Sequence, residues 1–520
     1  MKKSFSGFAI FTITTLFFST NIQAQGDNWS VSASNWMQYW YNQAEPNWIR
    51  NDTLPLEKTS RDSLDNRFSV DFNFGDFYAG AWLRTFEPNF TSSSNEKITQ
   101  RYLGWRQDGL NIHVGNFYKT FDHGLTLNAF LDDAVYFDNN LDGVRVSGMY
   151  DHFDFDALSG RGFRFQQGVN EFNLTRDFTI RGVRGAVKPI TGLKFGGSLV
   201  KFKQSSSLQF NQSDDINLSS VNGGISKGPF DIYAEYAFKE GNTGEEEKTD
   251  GDGTYLSASF SHRLFSIYSE YKNYYSLLYP GPIGPFNTPP PVSHSGRNLS
   301  AMAGVPGETG YQIGALISPN FNLNFEVAFS EAYSRGSKLQ YRDSIIYRPD
   351  PIDTSLERHV PIGLYLGEKY AGIRWNATDK IVFNAHWDRQ DYNGLEGDEI
   401  ETYFDSYYYL SPSQTVSLAT YQRTLSPITG KYHEDYLTLG YSRNNLIEVS
   451  IGGSTTNKVY QPFEKADPKR LAFIEATIHY KTNELSILHG GERGGLICSS
   501  GICTIRPTFQ GTRVILLSRF

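Results

Sequence analysis

Only two of the 520 residues are cysteine and only four are methionine. Past the first two dozen residues, no apolar run approaches the ~20 residues a membrane helix needs. No amphipathic helix of convincing length is visible, so a helical bundle is excluded in water and in lipid alike. G-x-S-x-G, H-E-x-x-H and a Gly-rich phosphate loop before a helix are all missing. His386 and His479 fall on strand positions without any particular Ser beside them, so no enzyme is expected, and no cofactor. Basic residues are not in excess: 48 Lys and Arg stand against 56 Asp and Glu, a net charge of -8. That balance argues against a nucleic-acid partner.

The two cysteines stand close together, in Cys498-Ser-Ser-Gly-Ile-Cys503. Two thiols cannot complete a zinc site, and four intervening residues do not make a redox pair. In an exported chain a structural disulfide is expected. Export itself is written at the start. Lys2 and Lys3 precede the apolar run Phe8 to Phe18, and Ile22-Gln23-Ala24 resembles a cleavage site, so residues 1–24 read as a signal peptide.

What the chain does have is aromatic residues, 15% of the total, with 38 Phe and 32 Tyr. Many sit in alternating segments. Phe68, Val70, Phe72 and Phe74 alternate with Ser69, Asp71 and Asn73, and Leu323, Phe325, Val327 and Phe329 with Asn324, Glu326 and Ala328. Ile447, Val449 and Ile451 alternate with Glu448 and Ser450. A period of two is that of a strand between two environments. Short connections, such as Gly75-Asp76, Gln107-Asp108-Gly109 and Lys227-Gly228-Pro229, take turns with long polar ones. The long ones include Asn42 to Asp65, Glu87 to Thr99, Gly160 to Asp177, Glu240 to Gly253, Tyr275 to Glu308 and Ser334 to Gly367. Sorting of this kind is the outer-membrane pattern, periplasmic turns on one rim and extracellular loops on the other.

About eleven short turns, a first strand at Trp29 to Tyr41 and a last one ending at Phe520 predict about 24 strands, in a range of 18 to 26. The expected fold is therefore all-β: a single transmembrane antiparallel β-barrel over residues 25–520. Arg513, Ile515, Leu517 and Arg519 form one face of the last strand, and Val514, Leu516, Ser518 and Phe520 the other. The terminal Phe520 fits a sorting and closing strand, although Ser518 stands where an apolar residue is usual. No globular plug domain precedes the first strand, which argues against an energy-coupled transporter.

Charged residues opposite the aromatic face are the candidates to line the lumen: Asp71, Arg145, Glu235, Glu270, Glu326, Arg374, His386, Asp388, Glu448 and Glu475. The acidic stretch Glu240 to Gly253, with Asp250 and Asp252, could offer oxygens to calcium, but its spacing is not that of an EF-hand and a solvated loop fits it better. No metal site is assigned. The Pro-rich Tyr279 to Val292 fits either an inward constriction or a stiff surface loop.

GNFYKTFDHGLTLNAFLDDAVYFDNNLDGVRV, from Gly115 to Val146, and ERGGLICSSGICTIRPTFQGTRVILLSRF, from Glu492 to Phe520, together resemble a family of Bacteroidota outer-membrane barrel proteins of unknown function. The likeness runs in order from about Trp29 to Phe520. It implies a porin-like barrel in the outer membrane of a Gram-negative bacterium and no activity. The expected role is passive diffusion of small polar solutes through a hydrated pore. The alternative is a surface receptor, adhesin or subunit of a larger assembly working through its loops. Expected partners are outer-membrane lipid, the barrel assembly machinery during insertion, and small solutes.

Overall fold

The computed structural model describes residues 25–26, 29–42, 62–87, 95–132, 137–162, 165–166, 178–204, 214–242, 250–278, 286–295, 307–335, 339–341, 344–346, 365–392, 398–426, 431–444, 446–457, 470–493, 495–499, 502–506 and 509–520. The signal-peptide assignment, residues 1–24, lies outside them.

Twenty-four antiparallel strands form one closed ring. Each strand pairs with its neighbours in sequence, and the last, Phe509–Arg519, pairs with the first, Trp29–Asn42. The seam is in register from Asn42 opposite Gly511 to Ser34 opposite Arg519. Beyond it the chain end is tied in: Phe520 N–H donates to Ala33 O at 2.7 Å, and Ala33 N–H to Phe520 O at 3.1 Å. Closure leaves no unpaired edge, which lipid would not tolerate.

Eleven turns of two or three residues join strands at the rim that holds Phe520. Asp108 and Gly109 illustrate why they are tight. Both have positive φ, 49° and 83°, the backbone of a two-residue hairpin turn that follows the twist of its strands. The other rim carries the long connections.

The strand period separates two faces. Phe72, Leu103, Val183, Leu199, Val221 and Ile451 stand about half exposed on the outside, the apolar band that lipid requires. The opposite phase is polar around most of the ring. It is not polar everywhere, and that exception builds the core. Leu158, Ile180, Val200, Phe202, Ile216, Leu218 and Ala237 point inward, near the long-loop ends of their strands, and are buried. They are covered by two chain segments that enter the lumen.

Candidate functional site

The first inserted segment joins the strands Leu110–Phe117 and Leu141–Met149. Lys119–Thr120 pairs with Asn128–Ala129 as a miniature hairpin. At its tip Phe121 N–H donates to Leu127 O at 2.9 Å, and Gly124 N–H to Phe121 O at 2.8 Å. Phe121, Leu125 and Leu127 are fully buried against the apolar wall. Each such side chain contributes about 1.5–3 kcal/mol on leaving water. The wall makes room for them. A methyl group added at Gly182 would come within 2.9 Å of the Phe121 ring.

The second segment, 286–295, follows the strand Phe265–Tyr275 and rests on the first. Asn128 N–H donates to Phe286 O at 2.5 Å, Thr288 N–H to Gly124 O at 2.9 Å, and the Asn287 amide to Leu125 O at 2.9 Å. Phe286 completes the buried cluster. Together the two segments make a plug with a dry interior on one side of the barrel.

Beneath that interior the plug is ionic. The Asp122 carboxylate receives Arg184 Nε at 3.0 Å and Nη2 at 2.8 Å, and the Asn222 amide at 3.0 Å. Arg184 also binds Asp154. Asp122 holds φ at 48°, a backbone that these bonds fix in place. Next to it, His123 packs against Tyr233, with ring centroids 4.1 Å apart and planes tilted by 47°, and lies 4.0 Å from Glu235. Burial pushes the His123 imidazole below its ordinary value, against the pull of Asp122 and Asp231 and aided by Lys194. Lys119 is held 2.7 Å from Asp156; burial lowers its ammonium, opposed by that carboxylate. A cavity of about 860 Å³ opens at the short-turn rim, lined by Lys188, Lys194, Asp231 and Tyr233 among others.

The ten charged positions singled out in the sequence fall in varied surroundings. Asp71 accepts the Tyr102 hydroxyl. Arg145 grips Asp156 through Nε at 3.1 Å and Nη2 at 2.9 Å. Glu235 accepts the Tyr233 hydroxyl at 2.9 Å and His123 N–H at 3.4 Å, and Glu270 accepts the Tyr255 hydroxyl at 2.9 Å. Glu326 lies 4.0 Å from His294. Arg374 stands opposite Asn324 and Asn384 in register. His386 stacks with Tyr403, centroids 5.0 Å apart. Asp388 is buried and accepts the Gln390 amide at 2.7 Å. Glu448 lies 3.7 Å from His479. Glu475 accepts the Ser486 hydroxyl at 3.0 Å and lies 3.8 Å from Arg513. Glu235 and Glu326 approach the inserted segments directly, and Arg145 shares Asp156 with Lys119.

From Ile381 to Arg519 the wall is lined differently. Asp405 accepts the hydroxyls of Tyr403 at 2.9 Å and Tyr407 at 3.2 Å, and the Asn384 amide at 2.6 Å. Glu401 accepts the Tyr421 hydroxyl, and Arg423 binds Glu399. Arg513 reaches Glu492 at 2.6 Å. Among the described residues no inserted segment packs on this side. Nor do they contain a group of three or more His, Cys, Asp or Glu able to hold a metal, Asp250 and Asp252 included. Near the long-loop rim, the hairpin Gly495–Ser499 and Ile502–Arg506 sets Cys498 opposite Cys503 in register.

Residues 1–279 match the model of a family of unknown function, DUF6029. The chain belongs to that family. No curated protein matches. Among solved structures, the chain is similar to the translocation pore of the E. coli P pilus usher PapC at 10% identity and TM-score 0.44, over 94% of this chain and 99% of that one. It is also similar to the siderophore receptor PirA of Pseudomonas aeruginosa (9%, TM-score 0.45, 95% and 80%) and to OccD3 (OpdP) of the same organism (11%, TM-score 0.41, 73% and 91%). Likeness at this level carries no function across to DUF6029 members.

Proposed function

We propose that this DUF6029 barrel is a non-enzymatic outer-membrane channel through which small polar solutes diffuse. The support is the unequal filling of its lumen. One side is closed by a packed, dry plug. The other, from Ile381 to Arg519, keeps carboxylates, arginines and tyrosine hydroxyls turned inward, with no described segment upon them. A polar wall of this kind hydrates a passage, and the plug sets its breadth. Export by a cleaved signal peptide, insertion by the barrel assembly machinery, a Cys498–Cys503 disulfide and a source among the Bacteroidota belong to the same reading.

Recording from the purified protein in a planar lipid bilayer tests it. Stable single channels of fixed conductance are expected. Persistent silence from protein that is demonstrably folded would reject the channel and leave a receptor or assembly role for the loops.

A further inference from the structure

The two inserted segments are held to the barrel in different ways. The first is locked by a hydrophobic cluster and by the Arg184 and Asp156 ion pairs. The second is fastened to the first at Phe286 to Thr288, and its far end meets one carboxylate. Glu368, on the strand Tyr365–Thr378, is 1% exposed. Its Oε2 accepts His294 N–H at 2.6 Å and the Ser330 hydroxyl at 3.3 Å, and its Oε1 accepts Ser295 N–H at 2.9 Å. The His294 ring lies on Tyr370, centroids 3.6 Å apart and planes 22° apart.

Between these two anchors runs Pro289-Pro290-Pro291-Val292. Three prolines supply no backbone N–H to bond to the wall, and they stiffen the span. Val292 lies over Gly310, where an added methyl would stand 2.9 Å from it. So a stiff strap lies along the inner wall over the strands between Phe265 and Thr378. At its far end it is pinned by a buried carboxylate bridging two successive N–H groups.

We infer that Glu368 is a positioning residue that keeps the channel open by clamping this strap to the wall. The inference rests on the channel reading above. Flat on the wall, the strap takes only its own thickness from the lumen. Released at His294 and Ser295, while still tied at Phe286 and rejoined to the wall at Gly307, it bows into the passage and blocks it intermittently. Hydrogen bonds to a charged acceptor are strong enough that losing them shifts such an equilibrium by about tenfold or more.

The experiment compares the full chain with Glu368→Gln and with His294→Ala, which removes the ring stack and leaves the carboxylate. Single-channel recordings are paired with amide exchange over 286–295. Brief closures about ten times more frequent in Glu368→Gln, fewer in His294→Ala, with faster exchange at His294 and Ser295, are the expected result. Conducting variants whose gating is unchanged would overturn the clamp and leave the channel standing. A silent wild type would reject both together. Should Glu368→Gln fail to fold, Glu368→Asp, which keeps the charge but cannot reach both N–H groups, takes its place, and unchanged gating there overturns the clamp.

Discussion

Lys272 and Glu308 form an ion pair sealed from solvent, both 0% exposed, with Nζ 2.8 Å from Oε1. Removing one partner of such a pair strands the other charge and costs about 3–5 kcal/mol, while replacing both by apolar residues is close to neutral. Lys272→Met is therefore expected to lower the temperature at which the folded band is lost on a semi-native gel, and Lys272→Met with Glu308→Leu to recover most of it. His123 gives a pH dependence of definite sign. Its folded value lies below its unfolded one, so the folded plug binds the proton less well than the opened segment does. The plug's stability is complete above the ordinary imidazole range and falls as pH drops through it. Protection factors at 121–128, taken relative to the intrinsic exchange rate at each pH, should fall on acidification, and His123→Gln should flatten the response. At this scale the sequence was informative about direction only. The phase of a strand says that Asp71 and Glu270 turn away from lipid. It does not say that tyrosine hydroxyls will meet them, because Tyr102 and Tyr255 come from other strands.

The strand pattern was legible because lipid and water impose opposite demands on alternate residues. The inserted segment between Phe117 and Leu141 was not picked out as a long connection, since its own residues look like one more stretch of strand and turn. A signal for it did exist. At the long-loop end of Leu193–Gln204, the inward phase is apolar and buried at Val200 and Phe202. A wall that met water would not be built so; one that meets a plug would. Phe121→Ala should remove about 3–5 kcal/mol from the plug and raise single-channel conductance, whereas Gly182→Ala crowds the same ring and should weaken the plug by about 1–3 kcal/mol. Of the Pro-rich stretch Tyr279 to Val292, which fits either a constriction or a surface loop, residues 286–292 lie inside the barrel and 279–285 fall outside the described residues. For the last loop, Cys498 and Cys503 stand opposite each other in register, and a disulfide between them is our expectation. Mass spectrometry of unreduced protein should find no free thiol, and reduction should leave the barrel folded.

Strand number, closure of the last strand on the first and the sorting of turns from loops could all be read from the sequence, because each is repeated along the chain. The unequal filling of the lumen could not. It depends on contacts between distant parts of the chain, such as Asn287 to Leu125, 162 residues apart. Phe520 belongs to the whole-molecule scale as well. Its pair of backbone bonds to Ala33 ends the seam, so deleting it should lower the yield of folded barrel in membranes, seen as the ratio of folded to unfolded bands. The plug also orders events in time. Phe121, Leu125 and Leu127 are made before Ile180, Phe202, Ile216 and Phe286, the residues that will cover them. Until the strands through Phe265–Tyr275 are paired, the greasy tip of the hairpin has no resting place. A chain cut short of these strands would leave this surface open, so a packed plug marks the completion of the first half of the barrel.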